Sequence, residues 1–337
     1  MNLTILYNEP TLSPDHADYA SEAGVLESVA ALSAALAATG HEVRALGVRG
    51  PAERLWPTLL SIRADVIINL VEGLSGDSRH EPHVAGCLEL LGIPYTGSPP
   101  DSLALVHDKV RTKRLLLGAG LPTAPFWRLE AAGSWPSLEL EEAIQAGPLF
   151  VKPAAEDASL GIDAASVVHE LDALRRKAHE LHERFGPVLI EQYLPGREFN
   201  VSVVALPHLE VLPLAEIEFL KDATHPWPIV TYDSKWVSDG AADRATPVRC
   251  PAHVAAPLAD ALRTLARFAF IAGGCRDYAR IDLRTNDAGE PFILEINANP
   301  DIGPAAGFAR ALRAAGYRYQ DFAEGLVSTA AARGARA

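Results

Sequence analysis

The densest chemistry in this chain lies in Arg280-Ile281-Asp282-Leu283 and in the run from Phe292 through Ile293, Leu294, Glu295, Ile296, Asn297, Ala298 and Asn299 to Pro300. Both segments have the apolar alternation of strands, and the polar run Thr285-Asn286-Asp287-Ala288-Gly289 between them reads as a turn. Strand side chains alternate, so Arg280 and Asp282 share one face, with Ile281 and Leu283 opposite. On the second strand the same rule groups Ile293, Glu295 and Asn297 against Phe292, Leu294 and Ile296. A hairpin then gathers Asp282, Glu295 and Asn297, with Arg280 beside them. Two carboxylates and an amide oxygen form a hard, all-oxygen set suited to Mg²⁺, with substrate phosphates completing the octahedron. An edge hairpin with a merely polar outer face has the same local pattern. The rest of the chain has to decide.

Neither GxxxxGK[ST] nor a GxGxxG after a strand is present, so phosphate must be held another way. The chain has six lysines, at 109, 113, 152, 177, 221 and 235, against 24 arginines. Such a chain should keep lysine where a compact, flexible charge matters, for instance against phosphate. Lys109 sits in Val106-His107-Asp108-Lys109, and Lys152 ends the apolar strand Leu149-Phe150-Val151 before a loop of small residues. Two lysines from separate segments could bracket a polyphosphate. Glu191 follows the apolar Val188-Leu189-Ile190, and Glu198 comes just past a Pro195-Gly196 turn. The first could accept from an adenine amino group and the second from ribose hydroxyls. All four are also compatible with ordinary surface charges.

Residues 3 to 100 alternate strand and helix, the pattern of a parallel sheet covered by helices. Strands are expected over 3–7, 42–47, 65–70 and 93–96, and helices over 22–39, 55–62 and 81–91. The character changes at Pro99. Helices over 101–117, 170–185, 257–273 and 308–315 then alternate with strands over 148–153, 188–194 and 196–203. The last third reads as strand-rich, and the Ala-rich tail after Ser328 as a fraying helix end. Gly97-Ser98-Pro99-Pro100 reads as a domain hinge. His80-Glu81-Pro82-His83 reads as a helix start rather than a metal motif, and His179 and His182 as a solvated helix face.

Composition bounds the function. At 337 residues, with 48% hydrophobic and 22% charged residues, the chain suits two or three subdomains of a globular protein. A net charge of −13 argues against a nucleic-acid partner, which normally needs a basic surface. No apolar run is expected to span a membrane, and the first residues lack the apolar core of a signal peptide. Cys87, Cys250 and Cys275 are odd in number, far apart and without CxxC, which argues against disulfides and zinc and for a reducing cytoplasm.

Six segments resemble, in order, those of the D-alanine–D-alanine ligases of the ATP-grasp superfamily. They are Gly92 to Ser98, Asp108 to Lys113, Val151-Lys152-Pro153, Val188 to Leu194, Arg280-Ile281-Asp282 and Leu294 to Pro300. The resemblance implies an ATP-grasp fold, α/β overall and α+β in its ATP-binding part. An N-terminal parallel-sheet domain (1–100) would precede a central lid subdomain (101–187) and a C-terminal subdomain with the metal site (188–330). It further implies Lys109 and Lys152 on ATP phosphates, Glu191 and Glu198 on adenine and ribose, and Leu194 and Leu294 packed against the nucleotide. Two Mg²⁺, or Mn²⁺ in their place, would sit on Asp282, Glu295 and Asn297. Arg280 would face the transferred phosphoryl group, and Lys235 would reach the γ-phosphate from a closing loop over 228–240. The activity implied is amide formation from an acid and an amine through an acyl phosphate, with a homodimer as the family's arrangement.

The departures from the family cluster at the substrate end, assigned to Glu72, Ala158, Ser159, Tyr232, Trp236 and Asp301. Glu72 stands at a histidine position, Ala158 at a serine and Trp236 at a tyrosine. Ala306-Gly307 lies where a serine grips the second substrate's carboxylate, and Asp301 adds negative charge nearby. Asn8 to Asp15 lacks the family's Gly-Gly-Ser. A retained ATP engine beside altered pockets implies a ligase for another substrate pair. The competing readings are a D-alanine–D-alanine ligase with a rebuilt pocket and a catalytically silent nucleotide-binding protein.

Overall fold

In the computed structural model the described residues are 1–337 except 17–18, 131–136, 158, 221–226, 237–239 and 336–337. The chain opens with β1 (Asn2–Asn8), α1 (Tyr19–Ala23), α2 (Val25–Ala37), β2 (Glu42–Val48), α3 (Ala52–Leu60), β3 (Val66–Leu70) and α4 (Glu81–Leu91). These form the parallel sheet β2-β1-β3, whose apolar strands are covered by helices. The strand expected over 93–96 is reduced to a bridge between Ile67 and Tyr95.

Helices α5 (Pro100–His107) and α6 (Lys109–Gly118) follow, separated at Asp108, whose side chain accepts from the N–H groups of Val110 and Arg111 and caps α6. The central part is β4 (Phe126–Leu129), α7 (Ser137–Ala146), β5 (Leu149–Pro153), β6 (Val167–Val168), α8 (Leu171–Phe185) and β7 (Val188–Gln192), with the antiparallel order β4-β7-β5-β6. On α8 His179 is exposed, as expected, while His182 is half-buried with Nδ1 3.0 Å from the Gly186 carbonyl. Lys177 is buried there, paired with Asp163 and Glu180.

The C-terminal part is β8 (Glu198–Ala205), β9 (Leu209–Val211), β10 (Ala215–Ile217), α9 (Tyr232–Trp236), α10 (Ala241–Arg244), β11 (Val248–Arg249), α11 (Ala256–Ala272), β12 (Tyr278–Thr285), β13 (Pro291–Asn297), α12 (Gly307–Ala314) and α13 (Tyr319–Gly334). Its sheet runs β11-β10-β8-β12-β13, with β9 on β8. The last third is therefore helix-rich among the described residues. The sequence reading counted the conspicuous hairpin and saw only the end of α13, whose many small residues give a weak apolar stripe.

Nor does the tail fray. Phe322, Leu326, Val327 and Ala330 of α13 are buried in one cluster with Leu3 and Ile5 of β1 and Leu32 and Leu36 of α2. The same packing bears on the membrane question. Residues 19–37 form an apolar helical stretch of 19 residues with mean hydropathy 1.3, long enough to span by length and composition, contrary to expectation. Its apolar stripe is spent on the protein core instead.

Candidate active site

A cleft with a cavity of about 920 Å³ opens between the central and C-terminal sheets and the loops of the N-terminal sheet. That is ample room for a nucleotide beside a small substrate. The hairpin β12/β13 forms its floor. Register pairs Arg280 with Asn297 and Asp282 with Glu295, so the four polar groups meet as the alternation predicts. Asp282 accepts from Arg280 through both oxygens at 2.8 Å, from Asn200 Nδ2 at 2.7 Å and from Asn297 Nδ2 at 3.1 Å.

One part of the alternation fails. The register shifts between Asp282 and Leu283, so β13 carries a bulge at Leu294. Ile293 and Ile296 both turn into the core, while Leu294 and Glu295 both line the cavity. A bulge inserts one residue and resets the alternation behind it. Ile293 is thus not on the Glu295 face, and Leu294 is.

Lys109, Lys152, Lys235 and Arg280 all act on the Glu295 carboxyl. Burial raises its pKa, but these four cations outweigh burial and hold it well below the usual carboxylate range. A carboxylate that stays ionised, a second one beside it and an amide oxygen fit a Mg²⁺ set whose remaining ligands come from phosphate and water. Among the described residues no trio of His, Cys, Asp and Glu side chains is placed to hold a metal ion, and the set here is two carboxylates and an amide. The four cations that converge on Glu295 suit a polyanion.

Glu191 is 2% exposed and gripped from both sides. Lys152 Nζ lies 2.8 Å from one oxygen, and Lys113 Nζ pairs with the other. Against the cost of burial, the two lysines lower its pKa. Lys113, fully buried, was not singled out from sequence, although four positions from Lys109 on one helix was a usable signal. Lys113 also donates to Thr123 Oγ1 at 2.6 Å, which donates to the Ile293 carbonyl at the bulge. Glu198 accepts from Arg284 at 2.8 Å, and burial raises its pKa despite that guanidinium. Leu194 joins these residues in the cavity wall.

Of the substrate-end assignments, Glu72, Ser159, Trp236 and Asp301 line the same cavity. Tyr232 begins α9 but is not on the cavity wall; its N–H donates to the Ile162 carbonyl. Ala158 lies outside the described residues. Lys235 is on the wall, with Nζ 5.4 Å from the Trp236 ring centroid. Glu81 was missed as a site residue. It begins α4 as the sequence indicated, yet it also lines the cavity and accepts from Asn299 Nδ2 at 2.8 Å. Burial, with Asp301 adding repulsion, pushes the Glu72 carboxyl up to about 7. Burial pushes Glu81 up to about 8, against the Asn299 hydrogen bond.

Comparison with known proteins agrees with this geometry. Residues 115–328 match the family described as "D-ala D-ala ligase C-terminus". A D-alanine–D-alanine ligase of Desulforudis audaxviator is 35% identical over 308 residues, covering 91% of this chain and 94% of that protein. An uncharacterized protein, y4sG, of Sinorhizobium fredii is 34% identical over 303 residues, covering 88% and 85%. Among solved structures, the Bacillus anthracis D-alanine–D-alanine ligase complexed with ATP superposes with a TM-score of 0.79 at 21% identity, over 100% of this chain and 99% of that one. With an antiparallel nucleotide-sized cleft behind a parallel N-terminal sheet, and with relatives this similar along nearly its whole length, the chain belongs to the D-alanine–D-alanine ligase-like family of ATP-grasp enzymes and is an ATP-dependent ligase.

Proposed function

We propose that this ligase activates a carboxylate as an acyl phosphate and joins it to an amine, on a pair other than two D-alanines. The observation that carries the substrate part is the acidic wall of the cavity. Glu72, Glu81 and Asp301 line it, and Asp301 and Glu72 are close enough to repel one another. A cationic amine would draw the Glu72 and Glu81 carboxyls into their charged forms and be attracted, whereas a free α-carboxylate finds no cation among these three side chains.

In this reading the acid's oxygen attacks the γ-phosphorus, the bond to ADP breaks, and the amine nitrogen then displaces phosphate from the acyl carbon. Lys109, Lys152 and Lys235 hold the polyphosphate, and Arg280 faces the transferred group. Glu198 takes ribose hydroxyls, and Leu194 and Leu294 pack on the base, with Glu191 on its amino group. Asp282, Glu295 and Asn297 would hold two Mg²⁺, which neutralise phosphate oxygens when bound. The protein's share is positioning, charge neutralisation and exclusion of water from the acyl phosphate. Free Cys87, Cys250 and Cys275 fit a reducing cytoplasm.

A second reading is supported by the curated relatives themselves, several of which carry the name D-alanine–D-alanine ligase. Phosphate release from ATP with D-alanine alone, against panels of amines and acids, separates the two. Each missing charged hydrogen bond costs roughly 1.5–3 kcal/mol, so two would lower efficiency with D-alanine on the order of a hundredfold or more. Robust D-alanyl-D-alanine formation at ordinary millimolar substrate would overturn the first reading and establish the second.

A further inference from the structure

Lys109 is 5% exposed, and its ammonium has three protons to place. One goes to Asp157 Oδ1 at 2.7 Å and one to the Glu156 carbonyl at 2.7 Å, both on the loop after β5. The third direction is faced by Glu295 Oε2 at 3.7 Å. As it stands, two of the three donors are committed to the loop and the third faces a carboxylate beyond hydrogen-bond distance. Asp157, with a side chain 51% exposed, can leave at little cost; Lys109 cannot.

The other oxygen of the same carboxylate, Asp157 Oδ2, lies 3.9 Å from His107 Nδ1. The His107 side chain is 10% exposed and lines the cavity, and neither ring nitrogen has a hydrogen-bond partner among the described residues. Buried polar groups are seldom left in that state, and the missing partner is one small movement away.

We propose that Asp157 is a latch residue: it holds Lys109 in the nucleotide-free enzyme, and it is handed to His107 when a nucleotide polyphosphate takes Lys109. The handover replaces one ion pair by two, Lys109 with phosphate and Asp157 with a protonated His107. It also removes a carboxylate from the path of an anion. This rests on the placement of Lys109 at the phosphates in the proposed function.

A proton signature follows. Burial keeps the His107 ring below its usual range, opposed by Asp157 and reinforced by Lys109. Asp108 at the cap of α6 and Asp77 before α4 also face the ring, while Glu81 of α4 and Glu295 of β13 share its cavity. Once Lys109 is neutralised by phosphate and Asp157 closes on the ring, the folded-state affinity of His107 for a proton rises. Nucleotide binding near pH 7 is therefore accompanied by proton uptake.

The test is calorimetry of the full chain with Mg²⁺ and a non-hydrolysable ATP analogue, repeated in buffers of different ionisation enthalpy. Proton uptake is expected for the wild type and is clearly smaller in His107→Gln, the remainder coming from Glu72 and Glu81 in the same cavity. At alkaline pH, where His107 stays neutral and no Asp157–His107 ion pair forms, Asp157→Asn should bind the analogue more tightly, on the order of tenfold, because the competing charge pair is gone. Lys109→Ala should weaken binding. Unchanged binding in Lys109→Ala would overturn the phosphate assignment itself. Weakened binding there, with Asp157→Asn no tighter than wild type at alkaline pH or with uptake undiminished in His107→Gln, would overturn the latch alone. Circular dichroism of each variant guards against misfolding, and His107→Asn serves as a second ring-free variant.

Discussion

At the scale of single residues the cleft is a contest between burial and charge, and Glu295 on the floor behaves differently from Glu72 and Glu81 on the wall. Glu295 is surrounded by cations and stays ionised; Glu81 has one amide partner and is pushed up to about 8. Glu295→Gln or Asp282→Asn should abolish ATP turnover with the fold intact, since each removes charge from the proposed metal site. Near-wild-type turnover in either variant, with circular dichroism unchanged, would remove the pair from the metal site. Glu81 makes a stability prediction of definite sign. Its folded-state pKa lies above the unfolded value of 4.5, so the folded chain binds the extra proton and loses that advantage as pH rises from about 4.5 to 8. The melting temperature of Glu81→Gln should fall less than that of the wild type across this window. Parallel melting curves for the two proteins would show that Glu81 does not hold the proton.

Individual elements show why some of the site was legible in the chain and some was not. Alternation along β12 and β13 correctly joined Arg280, Asp282, Glu295 and Asn297, because paired strands need only a period of two. It misplaced Ile293 and Leu294, because a bulge is a decision of the sheet and leaves no mark in apolar pattern. Lys113 was hidden for a similar reason: its burial depends on Glu191, some eighty residues away. The link between the central and C-terminal sheets was legible as Pro195-Gly196, though not its tightness. A Cβ on Gly196 would stand 2.1 Å from Thr285 Oγ1 and 2.5 Å from the Thr285 carbonyl oxygen, while the glycine N–H donates to that carbonyl at 3.0 Å. Gly196→Ala must push β7 and β8 away from the end of β12, where Arg284 holds Glu198. We expect a loss of roughly 1–3 kcal/mol, typical of overpacking, together with a raised KM for ATP. Denaturant melts and initial rates at varied ATP check both; a variant as stable as wild type would mean that the strand ends yield freely.

The whole molecule is closed by a contact that joins its first and last parts. Residues 97–100 read as a hinge, yet Gly97 N–H donates to Asp277 Oδ2 at 2.9 Å, Ser98 Oγ donates to the Ala298 carbonyl at 3.0 Å, and Arg276 Nε donates to the Gly97 carbonyl at 2.6 Å. Asp277 is 1% exposed and is met by Arg333 from the end of α13 at 2.5 and 2.8 Å, a two-pronged pair that also reaches the Tyr95 carbonyl. The helix end expected to fray is thus what neutralises a buried carboxylate at the junction of the two sheets. Removing one member of such a pair is costly because the other stays buried and unpaired. Arg333→Ala should destabilise the chain by about 3–5 kcal/mol, far more than an exposed arginine on a loose tail would. Adding Asp277→Asn to it should restore part of the loss, since the amide keeps the Gly97 hydrogen bond without the charge. The measurement is a double-mutant cycle by urea denaturation. If Arg333→Ala costs less than about 1 kcal/mol, the value of an exposed pair, the C-terminal helix does not lock the sheets together.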